Sequence, residues 1–314
     1  QQLRQFRGFC MPDTTLLRLE NVSRRLAGRI IVENVALSLD RGSVLGLLGV
    51  NGAGKTTTLR MVCGVLAPSS GRVFVEGADI REDSRRAASA LGYLPETPPL
   101  YAELRVVEYL TFCARLRRLR GKALSVSVEN VIERCGLGEV RQRLIGNLSK
   151  GYQQRVGIAQ AIVHNPALIV LDEPASGLDP LQSANIRALI RELGKERAVI
   201  LSTHLIADVH QCCDRVAILH RGRLRYDGSV QQLAESNVWL VRTATAPTWN
   251  MIAGVQSANF VELYWNVTTP LAPSQLAEAI VAKGWGLIEL RPQQTSLEQV
   301  FLRIASADET AEAA

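Results

Sequence analysis

A glycine-rich segment between an apolar run and a helical pattern constrains this chain more than any other feature. Residues 49–56 read Gly-Val-Asn-Gly-Ala-Gly-Lys-Thr, which has the form GxxxxGK[ST]. The segment follows the strand-like run Ser43–Leu48 and precedes the helical pattern Thr56–Val65. In this context the glycines let the backbone wrap around phosphate groups, and the helix N-terminus supplies N–H donors. The segment therefore predicts a phosphate-binding loop.

Two side chains of this loop are suited to particular contacts with a nucleotide. Lys55 can reach the outer phosphates, and the hydroxyl of Thr56 can ligate Mg²⁺. The other residues that we predict to bind the nucleotide are Gly49, Asn51, Gly52, Ala53, Gly54 and Thr57.

Apolar runs alternate with helical patterns along the first two thirds of the chain. Ala167–Asp172 and Ala198–Ser202 are apolar almost throughout, as Ser43–Leu48 is, which indicates strands buried on both faces. Helical patterns are seen at Val106–Leu119, Val126–Cys135 and Leu181–Leu193, and residues 216–226 read as a β-hairpin. This order is typical of an α/β fold with a mainly parallel sheet covered by helices.

Two carboxylates follow the second of these strands. Ligands of parallel sheets bind beyond the carboxyl ends of the strands, so Asp172 is predicted to hold Mg²⁺ and Glu173 to orient or deprotonate water. Aspartate also begins many turns, and without the phosphate-binding loop that interpretation would be equally good.

The segment Leu148–Arg155 reads LSKGYQQR and opens a further helical pattern. Together with the phosphate-binding loop, LDEPASGLD from Leu171 and STH from Ser202, in that order, it resembles the nucleotide-binding subunit of ABC transporters. The matching motifs span roughly Leu16 to Gly228. A serine beside a glycine leaves a helix N-terminus open to an outside anion, although Ser149 could also merely cap its own helix.

The resemblance implies a P-loop ATPase core with a mainly parallel sheet, a helical subdomain and an antiparallel β part. It implies ATP and Mg²⁺ as ligands, with Lys55, Glu173 and His204 as catalytic residues. It also implies a head-to-tail homodimer, in which Ser149 and Gly151 contact the nucleotide of the opposite subunit and the loop ending at Asp179 crosses the interface.

The sequence departs from the family pattern at two positions. Glu96 stands where the family usually has a glutamine that touches Mg²⁺ or its water, so we expect Glu96 near the metal. Leu26 stands where an aromatic residue commonly stacks on adenine, and a leucine offers only apolar contact.

The resemblance also implies a membrane protein as the partner that forms the transport pathway. The apolar runs are far shorter than the ~20 residues of a membrane-spanning helix, so we expect a separate transmembrane permease. The predicted protein is cytoplasmic and peripheral on the inner face of the membrane, a bacterial inner membrane in our interpretation, and has no direct contact with the transported substrate. The segment PETPPLY at residues 95–101 resembles that of export-type members of the family, so we expect an exporter.

Two other classes of function remain open from the sequence. The net charge of +6 would suit an ATPase that acts on nucleic acid or ribosomes, and Leu26 and Glu96 would suit a nucleotide sensor without hydrolysis. The arginine-rich run at residues 115–120 is better explained as a solvated helix face, so no nucleic acid is expected. The six cysteines lack CxxC spacing, which indicates a reduced protein.

Four regions are predicted. An N-terminal extension occupies residues 1–15, and the ATP-binding domain occupies residues 16–235, with its helical subdomain at about 97–165. A small α+β accessory domain follows at 236–306, and its last helix is announced by a capping-box spacing at residues 295–298. Residues 307–314 form a tail.

Overall fold

The protein is described by a computed structural model, which covers residues 15–231, 238–292, 297–301 and 304. The chain divides into two compact units between Gly228 and Ser229. Residues 1–14 of the predicted extension, the predicted boundary at residue 235, Thr295 of the capping box and the tail 307–314 lie outside the described residues.

The first unit contains ten strands and seven helices within the described residues. In chain order they are β1 (Thr15–Leu26), β2 (Arg29–Asp40), β3 (Val44–Leu48), α1 (Lys55–Val62), β4 (Ser70–Val75), β5 (Ala78–Asp79), α2 (Ser84–Ser89), β6 (Leu91–Leu94), α3 (Val106–Leu116), α4 (Gly121–Arg134), α5 (Lys150–Ile162), β7 (Leu168–Asp172), α6 (Pro180–Gly194), β8 (Ala198–Thr203), α7 (Ile206–Cys212), β9 (Arg215–His220) and β10 (Arg223–Ser229). Short 3₁₀ helices lie at Gly138–Val140 and Ile145–Asn147.

The central sheet has the order β10-β9-β3-β8-β7-β6. The pairs β9–β3, β3–β8, β8–β7 and β7–β6 are parallel. Every residue of β3, β7 and β8 is buried, which confirms the expectation drawn from their unbroken apolar sequences. A second sheet, with the order β2-β1-β4-β5, is antiparallel.

The two faces of the central sheet belong to two hydrophobic cores. Ile169 and Leu171 of β7 pack with the helical region that contains α3, α4 and α5. Leu168 and Val170, which alternate with them, pack with α1 and the antiparallel sheet. This sandwich fixes the carboxyl ends of β3, β7 and β8 along one edge, because the three strands are parallel neighbours.

Several helices end at places the sequence pattern did not indicate. The helix predicted to run to Val65 ends at Val62, because Gly64 adopts a left-handed conformation with φ +69°. The helix predicted to run to Leu119 ends at Leu116, since Arg118 has φ +65° and closes the turn. The next helix begins at Gly121 rather than Val126.

Within the described residues, the second unit contains an antiparallel sheet, one complete helix and a further helical segment at residues 297–301. Its elements are β11 (Val238–Thr243), β12 (Ser257–Val261), β13 (Tyr264–Thr268), α8 (Pro273–Ala282) and β14 (Leu287–Pro292), with a 3₁₀ helix at Trp249–Met251. The sheet order is β12-β13-β11-β14. Trp249 lies at the centre of its core, with ring centroids 5.9 Å from Trp265 and 5.6 Å from Trp285. The unit is therefore a small α+β fold with its own core.

Candidate functional site

The glycine-rich loop joins the buried end of β3 to the first residue of α1. Gly54 caps the helix with φ +103°, and a Cβ at this position would lie 2.9 Å from the carbonyl oxygen of Ile31. A Cβ on Gly49 would lie only 2.6 Å from the carbonyl oxygen of Leu219. Only glycine fits these two positions without displacing backbone, so the loop can keep its N–H groups directed toward an anion.

A cavity of about 500 Å³ opens over this loop. It brings together most of the predicted site residues, namely Asn51, Gly52, Gly54, Lys55, Thr56, Thr57, Glu96, Glu173 and His204. Three further lining residues were not predicted as site residues: Ile31, Val50 and Ser176. The cavity therefore combines a phosphate-binding loop with two carboxylates, one lysine and one histidine.

Lys55 is buried at the floor of the cavity. Its Nζ donates a hydrogen bond to the carbonyl oxygen of Gly49 at 2.7 Å and lies 3.4 Å from Glu173 Oε1. The first turn of α1 contains no acidic residue. Because the ammonium group and the helix N-terminus both contribute positive potential, this floor suits a polyanion.

Asp172 is the buried carboxylate at the end of β7. Its Oδ1 accepts hydrogen bonds from Thr56 at 3.2 Å and from Ser202 at 2.5 Å. Its Oδ2 is buried and has no hydrogen-bond partner. An unpartnered buried carboxylate oxygen beside a threonine hydroxyl fits the oxygen ligands that Mg²⁺ requires, because Mg²⁺ commonly takes one or two carboxylates together with phosphate oxygens and water.

Two ionisable groups near Asp172 are held neutral. Burial raises the pKa of the Cys63 thiol well above its ordinary value, and the charge of Asp172 raises it further. Burial, and to a smaller extent the charge of Asp172, raises the pKa of Tyr93 to about 12. Cys63 is therefore a protonated thiol at neutral pH, unsuited to nucleophilic or metal chemistry.

Glu173 and His204 form a close pair at the side of the cavity. His204 Nδ1 lies 2.9 Å from Glu173 Oε2, and the backbone N–H of Glu173 donates to Ser202 Oγ at 3.0 Å. Glu173 has φ +48°, a left-handed conformation that costs energy for a residue with a side chain. The sequence pattern did not single out Ser202, although it opens the STH segment and touches both acidic residues.

Three predicted residues occupy other places around the loop. Ala53 is buried beside Gly49, and neither residue lines the cavity. Leu26 ends β1, is 39% exposed and is not among the lining residues, whereas Ile31 of β2 is. Ile31, which no sequence signal indicated, is thus an apolar side chain that lines this cavity where Leu26 does not.

Ser149, Gly151 and Asp179 do not line the cavity. Ser149 is the N-cap of α5, but its side chain makes no capping hydrogen bond. Asp179 is exposed and caps α6, where its carboxylate accepts from the backbone N–H of Gln182 at 2.8 Å. The structure therefore does not support the alternative in which Ser149 serves only to cap its own helix.

A family model described as ABC transporter matches residues 32–176. The ABC transporter ATP-binding protein YxlF of Bacillus subtilis (strain 168) is 31% identical over 300 residues, which cover 93% of this chain and 100% of YxlF. The chain belongs to the ABC transporter ATP-binding proteins. The bacitracin transport ATP-binding protein BcrA of Bacillus licheniformis is 33% identical over 226 residues, covering 71% of this chain and 73% of BcrA.

Solved structures of ABC transporter subunits share the fold. An ATP-binding subunit of an ABC transporter matches with a TM-score of 0.64 at 31% identity, covering 70% of this chain and 92% of that subunit. The cbiO1 protein of Clostridium perfringens, part of the ABC transporter complex cbiONQ, matches with a TM-score of 0.64 at 29% identity, covering 70% and 90%.

Membership of this family establishes the general activity of the protein. ABC ATP-binding domains bind nucleotide and hydrolyse ATP, and this protein is an ATP-binding subunit of that class. Among the described residues, no helix is long and apolar enough to cross a bilayer. The described residues also contain no group of three or more His, Cys, Asp or Glu side chains placed to hold a metal.

Proposed function

We propose that this ABC ATP-binding protein is the ATP-hydrolysing subunit of an exporter and powers a separate transmembrane permease from the cytoplasmic face of the membrane. The observation that carries the proposal is the position of Glu173. Its carboxylate is held between Lys55 Nζ at 3.4 Å and His204 Nδ1 at 2.9 Å, in the cavity over the phosphate-binding loop.

Each side chain has a distinct role in this proposal. Lys55 and the loop amides hold the outer phosphates of ATP, which the buried ammonium group favours. Glu173 orients the attacking water and accepts its proton, and His204 holds the Glu173 carboxylate through Nδ1. The adenine lies against apolar side chains, with Ile31 in the cavity wall and Leu26 at the predicted stacking position.

The oxygen atoms beside the phosphate-binding loop are the metal ligands in our proposal. We assign Mg²⁺ to Thr56 Oγ1 and the unpartnered, buried Oδ2 of Asp172, which lies behind the lining of the cavity, with Glu96 of the lining as a further acceptor. When bound, Mg²⁺ neutralises charge on the β- and γ-phosphates. The residues present fit this ion, since they offer hard oxygen donors and leave positions for phosphate and water.

A head-to-tail homodimer completes each site in our proposal. Ser149, Gly151 and Asp179 lie outside the lining of the cavity of their own chain. The hydroxyl of Ser149 is not used to cap α5, and Ser149 is exposed. A second copy placing this helix N-terminus over the γ-phosphate would supply the missing donors and close the site to water.

The assignment as an exporter draws on relatives. BcrA is named a bacitracin transport protein, and YbhF of Escherichia coli (strain K12) is named a probable multidrug transporter ATP-binding protein; YbhF is 32% identical over 222 residues. These names state a transported compound or class of compounds and no direction, so export is our own proposal for the present protein. In this arrangement the transported substrate contacts the permease alone.

The test is Mg²⁺-dependent ATP hydrolysis by the purified protein, alone and with liposomes that contain the candidate permease. Lys55→Ala should weaken binding and hydrolysis together. Glu173→Gln should lower kcat by about a hundredfold or more while ATP still binds. Glu278→Gln is the matched control, because it makes the same chemical change at an exposed glutamate of the second unit, outside the lining of the cavity, and should keep the activity.

The measurement with the permease tests whether ATP hydrolysis is coupled to transport. We expect hydrolysis to change when the permease is present and to depend on Glu173 in both conditions. Hydrolysis that the permease leaves unchanged, in a reconstituted complex shown to contain both proteins, would contradict the role in transport.

A further inference from the structure

A buried chain of hydrogen bonds outside the nucleotide cavity holds both neighbours of His204. Thr203 Oγ1 donates to Asp208 Oδ2 at 2.9 Å, and the backbone N–H of Leu205 donates to Thr203 Oγ1 at 3.0 Å. Thr203 and Asp208 are 1% and 4% exposed. The residues on either side of His204 are therefore tied, directly or through one hydroxyl, to the carboxylate of Asp208.

The other oxygen of this carboxylate reaches a different helix. Arg187 Nη1, on α6, donates to Asp208 Oδ1 at 3.0 Å, and both side chains are largely buried. Arg187 and Asp208 therefore form an ion pair that is largely shielded from water. Loss of one partner would leave an unpaired buried charge, which is among the more costly changes a protein can suffer.

Helix α7 needs such an anchor. It has only seven residues, too few to be stable on its own, and no side chain caps its N-terminus. Asp208 lies in its first turn, where a negative charge also favours the helix dipole. The Asp208 carboxylate thus joins β8, α7 and α6 at the point where the chain turns past His204.

We propose that Asp208 is a positioning residue for ATP hydrolysis. It fixes the backbone on both sides of His204, so that His204 Nδ1 stays 2.9 Å from Glu173 Oε2. This inference rests on the proposed roles of His204 and Glu173. Arg187 extends the connection to α6, the helix that begins after Asp179, so the network joins the proposed dimer interface to the catalytic pair.

Steady-state kinetics of the full-length protein tests the positioning role. Asp208→Asn removes the charge, and Thr203→Val removes the hydroxyl at nearly constant shape; each should lower kcat about tenfold, while the KM for ATP changes less than about twofold. Thr203→Ser keeps the hydroxyl and should retain most of the activity. Asp227→Asn is the matched control, because it breaks another aspartate–arginine pair, with Arg215 at 2.6 and 2.7 Å, at the edge of the sheet.

A double-mutant cycle separates positioning from general stability. In a His204→Ala background, Asp208→Asn should lower kcat by less than about a further twofold, because its effect passes through His204. Effects that multiply would overturn the proposal, as would a kcat that Asp208→Asn leaves unchanged. If Asp208→Asn fails to fold, Thr203→Val completes the same cycle.

The single variant His204→Ala distinguishes the two levels of the argument. Full activity in that variant would overturn the proposed role of His204 and the positioning role of Asp208 with it. Impaired activity, with multiplicative losses in the cycle, would overturn only the role of Asp208.

Discussion

Glu173, the proposed catalytic residue, shows how the fold fixes the direction of one side chain. Its left-handed backbone is held by the hydrogen bond from its N–H to Ser202, and its carboxylate lies between Lys55 and His204. A non-glycine residue adopts φ +48° only where its surroundings impose it. The direction of the carboxylate is therefore set by β7 and β8 together, rather than by the rotamer of one residue.

The apolar wall of the cavity offers a prediction at the same scale. Ile31→Ala should raise the KM for ATP by about threefold to tenfold, since it removes apolar surface from the lining of the cavity. Ile30→Ala is the matched control, because Ile30 is the neighbouring residue, is 46% exposed and does not line the cavity. Steady-state kinetics at saturating Mg²⁺ measures both variants.

Leu26→Tyr tests the predicted stacking position separately. An added aromatic ring should lower the KM for ATP, since stacking of a base on an aromatic side chain contributes roughly 1–3 kcal/mol. An unchanged KM in Leu26→Tyr would count against stacking there, and an equal rise in Ile30→Ala and Ile31→Ala would count against Ile31 as the contact.

At the scale of elements, a pH-sensitive group lies in the turn that follows α5. Burial, and then the charge of Arg117, lower the pKa of His164 to about 4, whereas the ordinary value is 6.5. The unfolded chain therefore binds more protons than the folded protein between these pH values. Stability contributed by neutral His164 is present above about pH 6.5 and is lost as the pH falls toward 4.

Urea unfolding at several pH values measures this effect. Between pH 6.5 and pH 5 the free energy of unfolding should fall by about 1.5 kcal/mol more in the wild-type protein than in His164→Gln. Equal pH dependence in wild type and His164→Gln would contradict the assignment.

Sequence patterns predicted the elements better than the contacts between them. The strands β3, β7 and β8 were evident because a strand buried on both faces has a continuous apolar sequence. The last residue of α3 and the first residue of α4 were not evident, because no glycine or proline marks the left-handed turn at Arg118. Local propensity therefore indicates the type of an element more reliably than its boundary.

The same limit applies to the site. The loop from Gly49 to Thr56 is continuous in sequence and was recognised directly. Thr56 and Asp172 are 116 positions apart, and their hydrogen bond depends on which strands are neighbours in the sheet. Ile31 and Ser202 belong to the site through such pairing, and no motif marks Ile31.

At the scale of the whole molecule, the two units have separate cores. All four tryptophans belong to the second unit, where Trp249 and Trp285 are buried. Tryptophan fluorescence therefore reports on the second unit, whereas far-ultraviolet circular dichroism is dominated by the larger first unit. In urea we expect the two signals to give different midpoints, because the two units have separate hydrophobic cores.

Addition of nucleotide should shift the two unfolding midpoints by different amounts. ATP with Mg²⁺ should raise the midpoint seen by circular dichroism more than the midpoint seen by fluorescence, since ligand stabilises the unit that binds it. Coincident transitions that shift together would show that the two units unfold as one.

The central claim is that two copies of this protein close around ATP and that Glu173 drives hydrolysis there. Light scattering coupled to size-exclusion chromatography of Glu173→Gln with ATP and Mg²⁺ tests it most directly. We predict a shift from the monomer mass to the dimer mass, which ADP does not produce and which the further change Ser149→Arg abolishes. A mass that ATP leaves unchanged in a Glu173→Gln protein shown to bind ATP would contradict the account.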